Sequence, residues 1–562
     1  MFLHSFARKF GSCLNIKVLV LCLFFILGAV LRLAFLNRTD LIDDEAFYVT
    51  FAYKIAFFFL QNLWVFLLLL LAIFVLLFLL AWKRSLAFAV LFFIALPAGQ
   101  FLLHLPSLTG GIAPGFIFFL SLAQAFTGLL LEPAIVGVLL SITASLLSGI
   151  VAFLLCKRLF NETAGLIAFA LLMVSPLGVF SSTLALPNAL GVFFMFSSFY
   201  LLVISVKDNS NYFPLAGVVL VLAFLTRYTA LLLVPLFLFY LLIKRKIVFS
   251  KENRKNAVIF LLIVFAVLLM QSEFIIGRFS GFSTWTQGSP DSVWRVDRND
   301  LIEAHYSSWL AESIGSVQRF YSPFFYFQLM NLFYSPILLA LSILALAWAF
   351  IFPKRVEFKI LGLVALGFFA FISVMTSNAI QRPQFFLKVE FALVVLIACF
   401  FGFLIEKFKD KRASIAVFGI ATLLCGFFIF QSASIISMHD FKGFSEFVEK
   451  VPKDKVLFNA WVNPTYYYRG TYLYNTELTN SYLARFFPVD KQKLAEFRQQ
   501  EALNPSSFKE LNAEKVDFVI GEESFIRNPE IAEKLEAFKQ CAPVKNGNFT
   551  VFYTFAKEEC LN

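Results

Sequence analysis

Long apolar runs are the feature that most limits how this chain can fold. The run LWVFLLLLLAIFVLLFLLAW covers residues 63–82 without a charged side chain. About 20 such residues, as a helix, reach across the ~30 Å hydrocarbon core of a bilayer. Of the 562 residues, 60% are hydrophobic and 15% are charged, against roughly 45–50% and about 25% in soluble proteins. The chain is therefore predicted to be a polytopic membrane protein.

Thirteen apolar segments can be drawn along residues 1–435. The stretch 113–130 contains Gly and Pro and is short, so we predict that it forms a helix lying at the membrane surface. The predicted fold class is an all-α polytopic membrane domain with about 13 transmembrane helices. The predicted spans are 18–36, 57–82, 86–104, 134–155, 163–182, 188–206, 213–226, 229–243, 257–275, 331–351, 358–377, 386–404 and 414–434.

The charges between these spans sort by side when the N-terminus is placed in the cytoplasm. The loops that then face the cytoplasm carry 21 Lys and Arg against 6 Asp and Glu, whereas the outer loops carry 10 against 12. Cytoplasmic loops of membrane proteins are enriched in Lys and Arg. The formal net charge of +11 is therefore interpreted as a positive-inside signal and not as a nucleic-acid-binding surface.

With this orientation, loops 37–56 and 276–330 and the tail 436–562 all lie on the outer face. The tail is predicted to be a small extracytoplasmic α/β domain, because strand-like and helical patterns both occur in it. Cys541 and Cys560 lie in the tail and can pair if that compartment is oxidising. The predicted strands are 455–462, 515–522 and 548–555, and the predicted helices are 440–451 and 528–540.

Four carboxylates follow the first span, in the stretch NRTDLIDDEAFYV (37–49). A solvated loop is the simpler interpretation for Asp40. It is weaker for the run Asp43, Asp44 and Glu45, because like charges packed at a membrane boundary repel and raise one another's pKa. Such sites are candidates for general bases or metal ligands. No His/Cys set in the sequence has metal-ligand spacing.

The acidic run and three later segments together resemble the multi-span glycosyltransferases of the GT-C fold, especially protein O-mannosyltransferases and lipid A aminoarabinose transferases. DDEAFYVTFAYKIA resembles the Asp-Glu motif that follows their first span. The resemblance covers most of 18–434. The other segments that carry it are CKRLFNETAGLIAFALLMVSP (156–176), LAGVVLVLAFLTRYTALLLVPLFLFYLL (215–242) and NAIQRPQFFLKVEFALVVL (378–396).

The resemblance implies an inverting transfer of a hexose such as mannose from a polyprenyl-phosphate donor to an acceptor hydroxyl at the outer face of the membrane. The acceptor is a protein, lipid or glycan, and the plasma membrane is the expected location. Asp44 takes the place of the family's general base, and Glu45 would orient Asp44 or the acceptor. Asp43 is a neighbour that could stand in at the substrate.

Fixed cations are expected near the donor phosphate, because they stabilise the charge that develops on the leaving group. Arg227 stands where the family has a Lys, and Arg382 is the second candidate. Lys388 and Arg32 are further candidates, and snorkelling at the interface is the simpler explanation for both.

Two features depart from the family pattern. Asn188 stands where the family has an acidic residue, and an amide can hydrogen-bond a sugar hydroxyl but holds a cation poorly. Participation of a divalent cation is therefore left open. The hydrophobic hairpin 57–104 has no counterpart in the family pattern. The alternatives are a lipid or glycan transporter or flippase, and an inactive scaffold of glycan assembly. Transporters often carry internal repeats and mid-span charges, and this sequence shows neither.

Overall fold

The computed structural model of the chain describes a mostly helical protein with one β-sheet near the C-terminus. The structure describes residues 16–34, 44–81, 114–127, 133–251, 253–270, 323–352, 355–375, 386–408, 411–438, 455–459, 471–474, 516–522, 535–546 and 550–561. Between these stretches it also describes residues 36, 130, 131, 447, 450–452 and 533.

Sixteen helices lie in these stretches. Two of the helices are followed by 3₁₀ turns, at Ser210–Tyr212 and Tyr228–Leu232. The helices are α1 Ile16–Leu33, α2 Asp44–Gln61, α3 Leu63–Ala81, α4 Pro114–Phe126, α5 Pro133–Leu159, α6 Glu162–Val174, α7 Pro176–Ser182, α8 Pro187–Lys207, α9 Phe213–Thr226, α10 Leu233–Ile243, α11 Arg245–Val248, α12 Arg254–Met270, α13 Pro323–Ile351, α14 Val356–Met375, α15 Leu387–Phe408 and α16 Lys411–Met438.

The helices bury small and aromatic residues against one another and leave large apolar side chains exposed. Leu23 and Ile26 of α1, Phe74 of α3 and Leu423 of α16 are each at least 60% exposed. Such surfaces suit lipid and not water. Within the described stretches, four helices are long and apolar enough to cross a membrane, or six if each bent pair forms one span. The integral membrane character is therefore supported, and the number thirteen stays a prediction.

One end of the helical bundle gathers charged residues from loops that the sequence assigns to the cytoplasm. Lys17 pairs with Glu162, which also lies 3.4 Å from Lys157. Arg158 pairs with Asp208. We call this end, defined by Lys17, Lys157, Arg158, Lys207, Lys244, Arg355 and Glu406, the basic face. The described loops among those that the charge rule places on one side meet at one end of the bundle, whereas residues 1–15 and 83–84 lie outside the described residues.

A further ion pair ties the basic face together below the surface. Glu357 is 1% exposed, and its Oε1 lies 3.3 Å from Lys207 Nζ and 3.7 Å from Lys244 Nζ. Tyr240 donates its hydroxyl proton to the same oxygen at 3.1 Å. A buried carboxylate costs several kcal/mol of desolvation unless cations and donors surround it, and here both are present.

The predicted span 163–182 is bent by 54° where α6 meets α7. Ser175 lies between the two helices, and Pro176 begins the second. The Ser175 Oγ accepts a hydrogen bond from Gly178 N at 3.0 Å. Proline has no N–H and favours the first turn of a helix. The break leaves carbonyl groups at the end of α6 without intrahelical donors.

Side chains from two other helices bind those carbonyl groups. Arg32 of α1 donates from Nη1 to Met173 O at 2.6 Å and from Nη2 to Leu172 O at 3.2 Å. Ser432 of α16 donates to Val174 O at 3.0 Å. Arg32 is 0% exposed, so the expectation of a snorkelling arginine is wrong. It is a buried donor that stabilises a broken helix.

The first outer segment differs from its predicted form. Residues 44–56, predicted in the outer loop 37–56, are helical and continue without a break to Gln61. The predicted span 57–82 is divided at Asn62, where the axis turns by 106°. Asn62 Nδ2 donates to Phe58 O at 3.0 Å and binds a carbonyl at the end of α2. The rest of the hairpin, 82–104, lies outside the described residues.

Helix α4 occupies the stretch predicted to lie at the membrane surface. With 13 residues it is too short to cross a bilayer, as predicted. Nine of its residues are buried, including Phe116 and Leu120, so it packs inside the protein and not along its surface. Its neighbours are α2, α5 and α9.

The C-terminal tail contains a six-stranded mixed sheet. The central strand order is β2-β1-β3-β6-β4, with β5 also paired to β6; β1 is parallel to β2 and β3. The predicted strand stretches 455–462 and 515–522 contain β1 and β3, the stretch 548–555 covers all of β6 except Ala556, and Cys541 and Cys560 form a disulfide. Most of the predicted helix 440–451 lies outside the described residues. In the predicted helix 528–540, residues 533 and 535 are helical, but Lys539 and Gln540 form β4, so the prediction is wrong at its C-terminal end because these two residues pair with β6. The strands are β1 Val456–Asn459, β2 Thr471–Tyr474, β3 Phe518–Glu522, β4 Lys539–Gln540, β5 Val544–Asn546 and β6 Thr550–Ala556.

Candidate functional site

Arg227 lies at a break between two helical segments, and this break orients its side chain. Helix α9 ends at Thr226, Arg227 adopts extended backbone angles (φ −148°, ψ 112°), and a 3₁₀ turn begins at Tyr228. The Arg227 guanidinium donates from Nη2 to Oδ1 of Asn188 at 2.5 Å. Two residues that the sequence proposes for the substrate site, 39 positions apart, are therefore in direct contact.

Asn188 is the second residue of α8, after Pro187. Its side chain is 4% exposed. While Oδ1 accepts from Arg227, Nδ2 has no hydrogen-bond partner within the part of the chain that the structure describes. A buried amide N–H without an acceptor costs about 1–3 kcal/mol. Asn188 therefore offers a donor to any oxygen that enters beside it.

Lys388 reaches the same region from the start of α15. Its Nζ donates to Thr229 Oγ1 at 2.8 Å and lies 5.5 Å from the ring centroid of Phe368. The side chain is 4% exposed, which contradicts the expectation of a snorkelling lysine. The charge of Arg227 also acts on Lys388. Arg227 and Lys388 come from distant parts of the sequence. Their positive charges therefore act on each other beside the segment 227–229, although like charges repel.

Two glycines allow this close packing. A Cβ at Gly191 would lie 2.9 Å from Cγ of Arg227, so the arginine stem packs directly on the backbone of α8. A Cβ at Gly115 would lie 2.9 Å from the carbonyl carbon of Leu225, so α4 approaches the end of α9 backbone to backbone. Contacts below 3.0 Å require a shift of one partner. A side chain at either glycine would therefore displace the segment that contains Arg227.

Helix α2, which begins at Asp44, packs beside this region. Tyr48 meets Phe116 of α4 edge-to-face, with ring centroids 5.4 Å apart. A Cβ at Gly137 would lie 2.7 Å from Ala185 Cβ and 3.4 Å from Val49 Cγ2, so the start of α2 lies near the loop that leads to Asn188. Asp44 and Glu45 occupy the first turn of α2.

The site lies far from the basic face. Asn188 and Lys207 are 19 positions apart on α8, a length of about 29 Å at ~1.5 Å per residue. Lys388 and Glu406 are 18 positions apart on α15, a length of about 27 Å. Glu406 belongs to the basic face, where its Oε1 accepts from Asn161 at 2.7 Å. Both lengths are close to the ~30 Å hydrocarbon thickness. Asn188, Arg227 and Lys388 therefore lie about one hydrocarbon thickness along the bundle from the basic face.

The structure thus brings together three of the residues singled out in the sequence, Asn188, Arg227 and Lys388. It puts Asp44 and Glu45 at the start of a neighbouring helix, while Asp43 and Arg382 lie outside the described residues. Thr229 was missed, although it follows Arg227 by two positions. Glu390 was also missed; an acid inside an apolar run was the available signal. Within the described ranges, no cluster of three His, Cys, Asp or Glu residues could hold a metal ion.

Residues 113–270 match the sequence model of the dolichyl-phosphate-mannose-protein mannosyltransferase family. This segment contains both Asn188 and Arg227. No curated protein matches the chain significantly in sequence.

Several solved structures are distantly similar to this chain. ArnT from Cupriavidus metallidurans in the apo state is 12% identical, with a TM-score of 0.47 over 79% of this chain and 87% of that chain. The archaeal oligosaccharyltransferase AglB from Archaeoglobus fulgidus, in complex with an inhibitory peptide and a dolichol-phosphate, is 11% identical, with a TM-score of 0.46 over 80% and 67%. These likenesses are too distant to carry an argument about the site. The family match confirms that this chain resembles the GT-C glycosyltransferases, over the segment that holds two of its three clustered site residues.

Proposed function

We propose that the protein is an inverting glycosyltransferase that moves a hexose, with mannose as the first candidate, from a polyprenyl-phosphate donor to an acceptor hydroxyl. The reaction takes place at the membrane boundary opposite the basic face. If the basic face is cytoplasmic, as its charges favour, transfer occurs on the outer side of the plasma membrane.

The depth and charge of the site support a lipid-phosphate donor. A polyprenyl chain lies in the hydrocarbon core, so its phosphate must lie at the boundary, about 30 Å from the opposite one. Arg227 and Lys388 are at that level, and Asn188 adds the unpartnered Nδ2 donor. Cations and N–H donors stabilise a phosphate as it gains charge on leaving. The single observation that carries the proposal is the convergence of Asn188, Arg227 and Lys388 at this level.

The acidic run supplies the base. Asp44 takes the proton of the acceptor hydroxyl while the acceptor oxygen bonds to the sugar's anomeric carbon. The bond from that carbon to the phosphate oxygen breaks, and the lipid phosphate leaves with the electron pair. Glu45 orients Asp44 or the acceptor, and Asp43 and Arg382 border the substrates. These roles come from the resemblance of the Asp-Glu motif and from the position of Asp44 at the start of α2.

The test is a transfer assay with the purified full chain in lipid nanodiscs. Polyprenyl-phosphate donors that carry different labelled hexoses are supplied with hydroxyl acceptors, with and without EDTA, and loss of label from the lipid is measured. We expect one donor to be consumed, and Asp44→Asn to slow transfer by about 10²–10⁴-fold, the usual contribution of a general base.

Arg158→Gln, a change of exposed charge on the basic face, is the matched control and should leave transfer unchanged. Near-normal transfer by Asp44→Asn would remove Asp44 from the mechanism. Movement of labelled lipid across the bilayer, with no sugar released from any donor, would favour the flippase alternative.

A further inference from the structure

We propose that Glu390 is a positioning residue: through Ser175 and Arg32 it fixes the first turn of α15, so that Lys388 points toward Thr229 and the donor phosphate. This inference rests on the proposed function, because it assigns Lys388 to the donor phosphate.

Glu390 is held by groups from two other parts of the fold. It is 2% exposed, and its Oε1 accepts a hydrogen bond from Ser175 Oγ. The positive charge of the fully buried Arg32 attracts it. Ser175 is the residue at the α6–α7 break, and Arg32 binds the carbonyl groups beside that break. The carboxylate is therefore anchored to the point where a transmembrane segment is interrupted.

The spacing of Lys388 and Glu390 makes this anchor relevant to the site. Residues i and i+2 of a helix project about 200° apart, at 3.6 residues per turn. Lys388 reaches Thr229 on one side of α15, and Glu390 reaches Ser175 on another. Contacts on two sides fix the rotation of this first helical turn. Loss of the Glu390 contact lets the turn rotate and carries Lys388 with it.

The same anchor also reaches the segment that leads to Asn188. Ser145 of α5 accepts from Arg32 Nε at 3.2 Å. Ser141, one turn earlier on α5, donates to Leu186 O at 3.3 Å, two residues before Asn188. One buried cluster thus contacts the segments that carry both Lys388 and Asn188. We call it the Arg32–Glu390 cluster, and it consists of Arg32, Ser145, Ser175 and Glu390.

A small cavity beside this cluster has room for one water molecule. Ser145, Ser148 and Glu390 line it together with apolar residues, and its volume is about 20 Å³. Roughly 10–15 Å³ on this measure is enough for one water molecule, which needs two to four polar partners. The serine hydroxyls and the carboxylate provide them. A water here would link α5 to α15 and add to the rigidity of the cluster.

The experiment compares two buried glutamates at opposite ends of the bundle. Glu390→Gln and Glu357→Gln each replace a nearly unexposed carboxylate that interacts with a positive charge, from Arg32 for Glu390 and from Lys207 and Lys244 for Glu357. For each variant in nanodiscs, the melting temperature and the Kd for undecaprenyl phosphate without sugar are measured. Ser175→Ala, which removes one partner of Glu390, serves as the second variant if Glu390→Gln does not fold.

We expect both glutamine variants to melt at lower temperature, but only Glu390→Gln to weaken binding, by about tenfold, the scale of one hydrogen bond to a charged group. Glu390→Asp should restore part of the affinity. Equal affinity in Glu390→Gln and Glu357→Gln, with Lys388→Met still weakened, would overturn the positioning role and leave the proposed function intact. Failure of the wild-type protein to bind the lipid phosphate would overturn both.

Discussion

Arg227 and Asn188 form a direct hydrogen bond at 2.5 Å, between the end of α9 and the start of α8. Because the resemblance places an acidic residue at position 188, Asn188→Asp tests what the amide contributes. A carboxylate there would pair with Arg227, offset part of the positive charge offered to a phosphate, and replace an N–H donor with an acceptor. We expect affinity for undecaprenyl phosphate to fall by about tenfold or more.

Asn211→Asp is the matched control for this change. Asn211 accepts from Asn256 at 3.1 Å near the basic face, so it too loses no volume and gains one negative charge. Its affinity for the lipid phosphate should equal that of the wild type. Tighter binding by Asn188→Asp than by the wild type would contradict the assignment of an anion site.

Gly191→Ala should disturb Arg227 without changing any charge. The added methyl group would meet the arginine stem at 2.9 Å, so the stem must move and the guanidinium with it. We expect several-fold weaker lipid-phosphate binding. Gly367→Ala in α14 is the control and should bind normally, because no described atom outside its own stretch of helix lies within 4 Å of the new methyl group. The measurement is the Kd of each variant for undecaprenyl phosphate, determined by titration in nanodiscs. Equal values for the two variants would contradict the prediction.

Arg32→Met should destabilise the protein. It removes the donors to the Leu172 and Met173 carbonyls at the α6–α7 break and the positive charge of Arg32 that attracts Glu390. Removal of one partner from a buried charged cluster costs on the order of 3–5 kcal/mol. Thermal unfolding in detergent should show this loss, whereas Lys17→Met, which removes a largely exposed pair at the other end of α1, should cost less than about 1 kcal/mol. Similar melting of both variants would show that Arg32 does not hold the break.

The Cys541–Cys560 disulfide allows a test of the fold of the tail and of the side of the membrane on which the tail lies. It closes a loop with a sequence separation of 19, which corresponds to about 3 kcal/mol of stabilisation for the sheet in the chain-entropy model. Non-reducing mass spectrometry of tail peptides from fresh membranes should find the two cysteines joined. Free, reactive thiols at both positions would place the tail in a reducing compartment and reverse the proposed orientation.

The sequence predicts several features of the fold because their signals are local. Apolar length indicated the spans, and the charge of the loops predicted which of them meet at the basic face. Strand-like runs predicted β1, β3 and β6. The division at Asn62 was not predictable in this way, because only Gln61 and Asn62 interrupt the apolar residues from Ile55 to Ala81, and two polar residues alone do not indicate a sharp turn. Helix α4 was correctly predicted to be too short to span, but its burial depends on contacts with distant helices.

The site was predicted in part. The resemblance selected Asn188, Arg227 and Lys388 one at a time, and no local pattern could show that they meet. The snorkelling interpretation of Arg32 failed for a physical reason: a broken helix creates carbonyl acceptors in the interior, and a guanidinium with five donors satisfies them. Glu390 and Ser175 belong to the same arrangement, which becomes visible only when α1, α6 and α15 are packed together.

The most direct test of the central claim is the affinity of sugar-free undecaprenyl phosphate for variants of the two site cations. Arg227→Gln and Lys388→Met are compared with the wild type and with Arg158→Gln and Lys157→Met on the basic face, all in nanodiscs at one salt concentration. The account predicts that the two site variants bind at least about tenfold more weakly, while the two basic-face variants bind as the wild type does. Equal affinity in all four variants would contradict it.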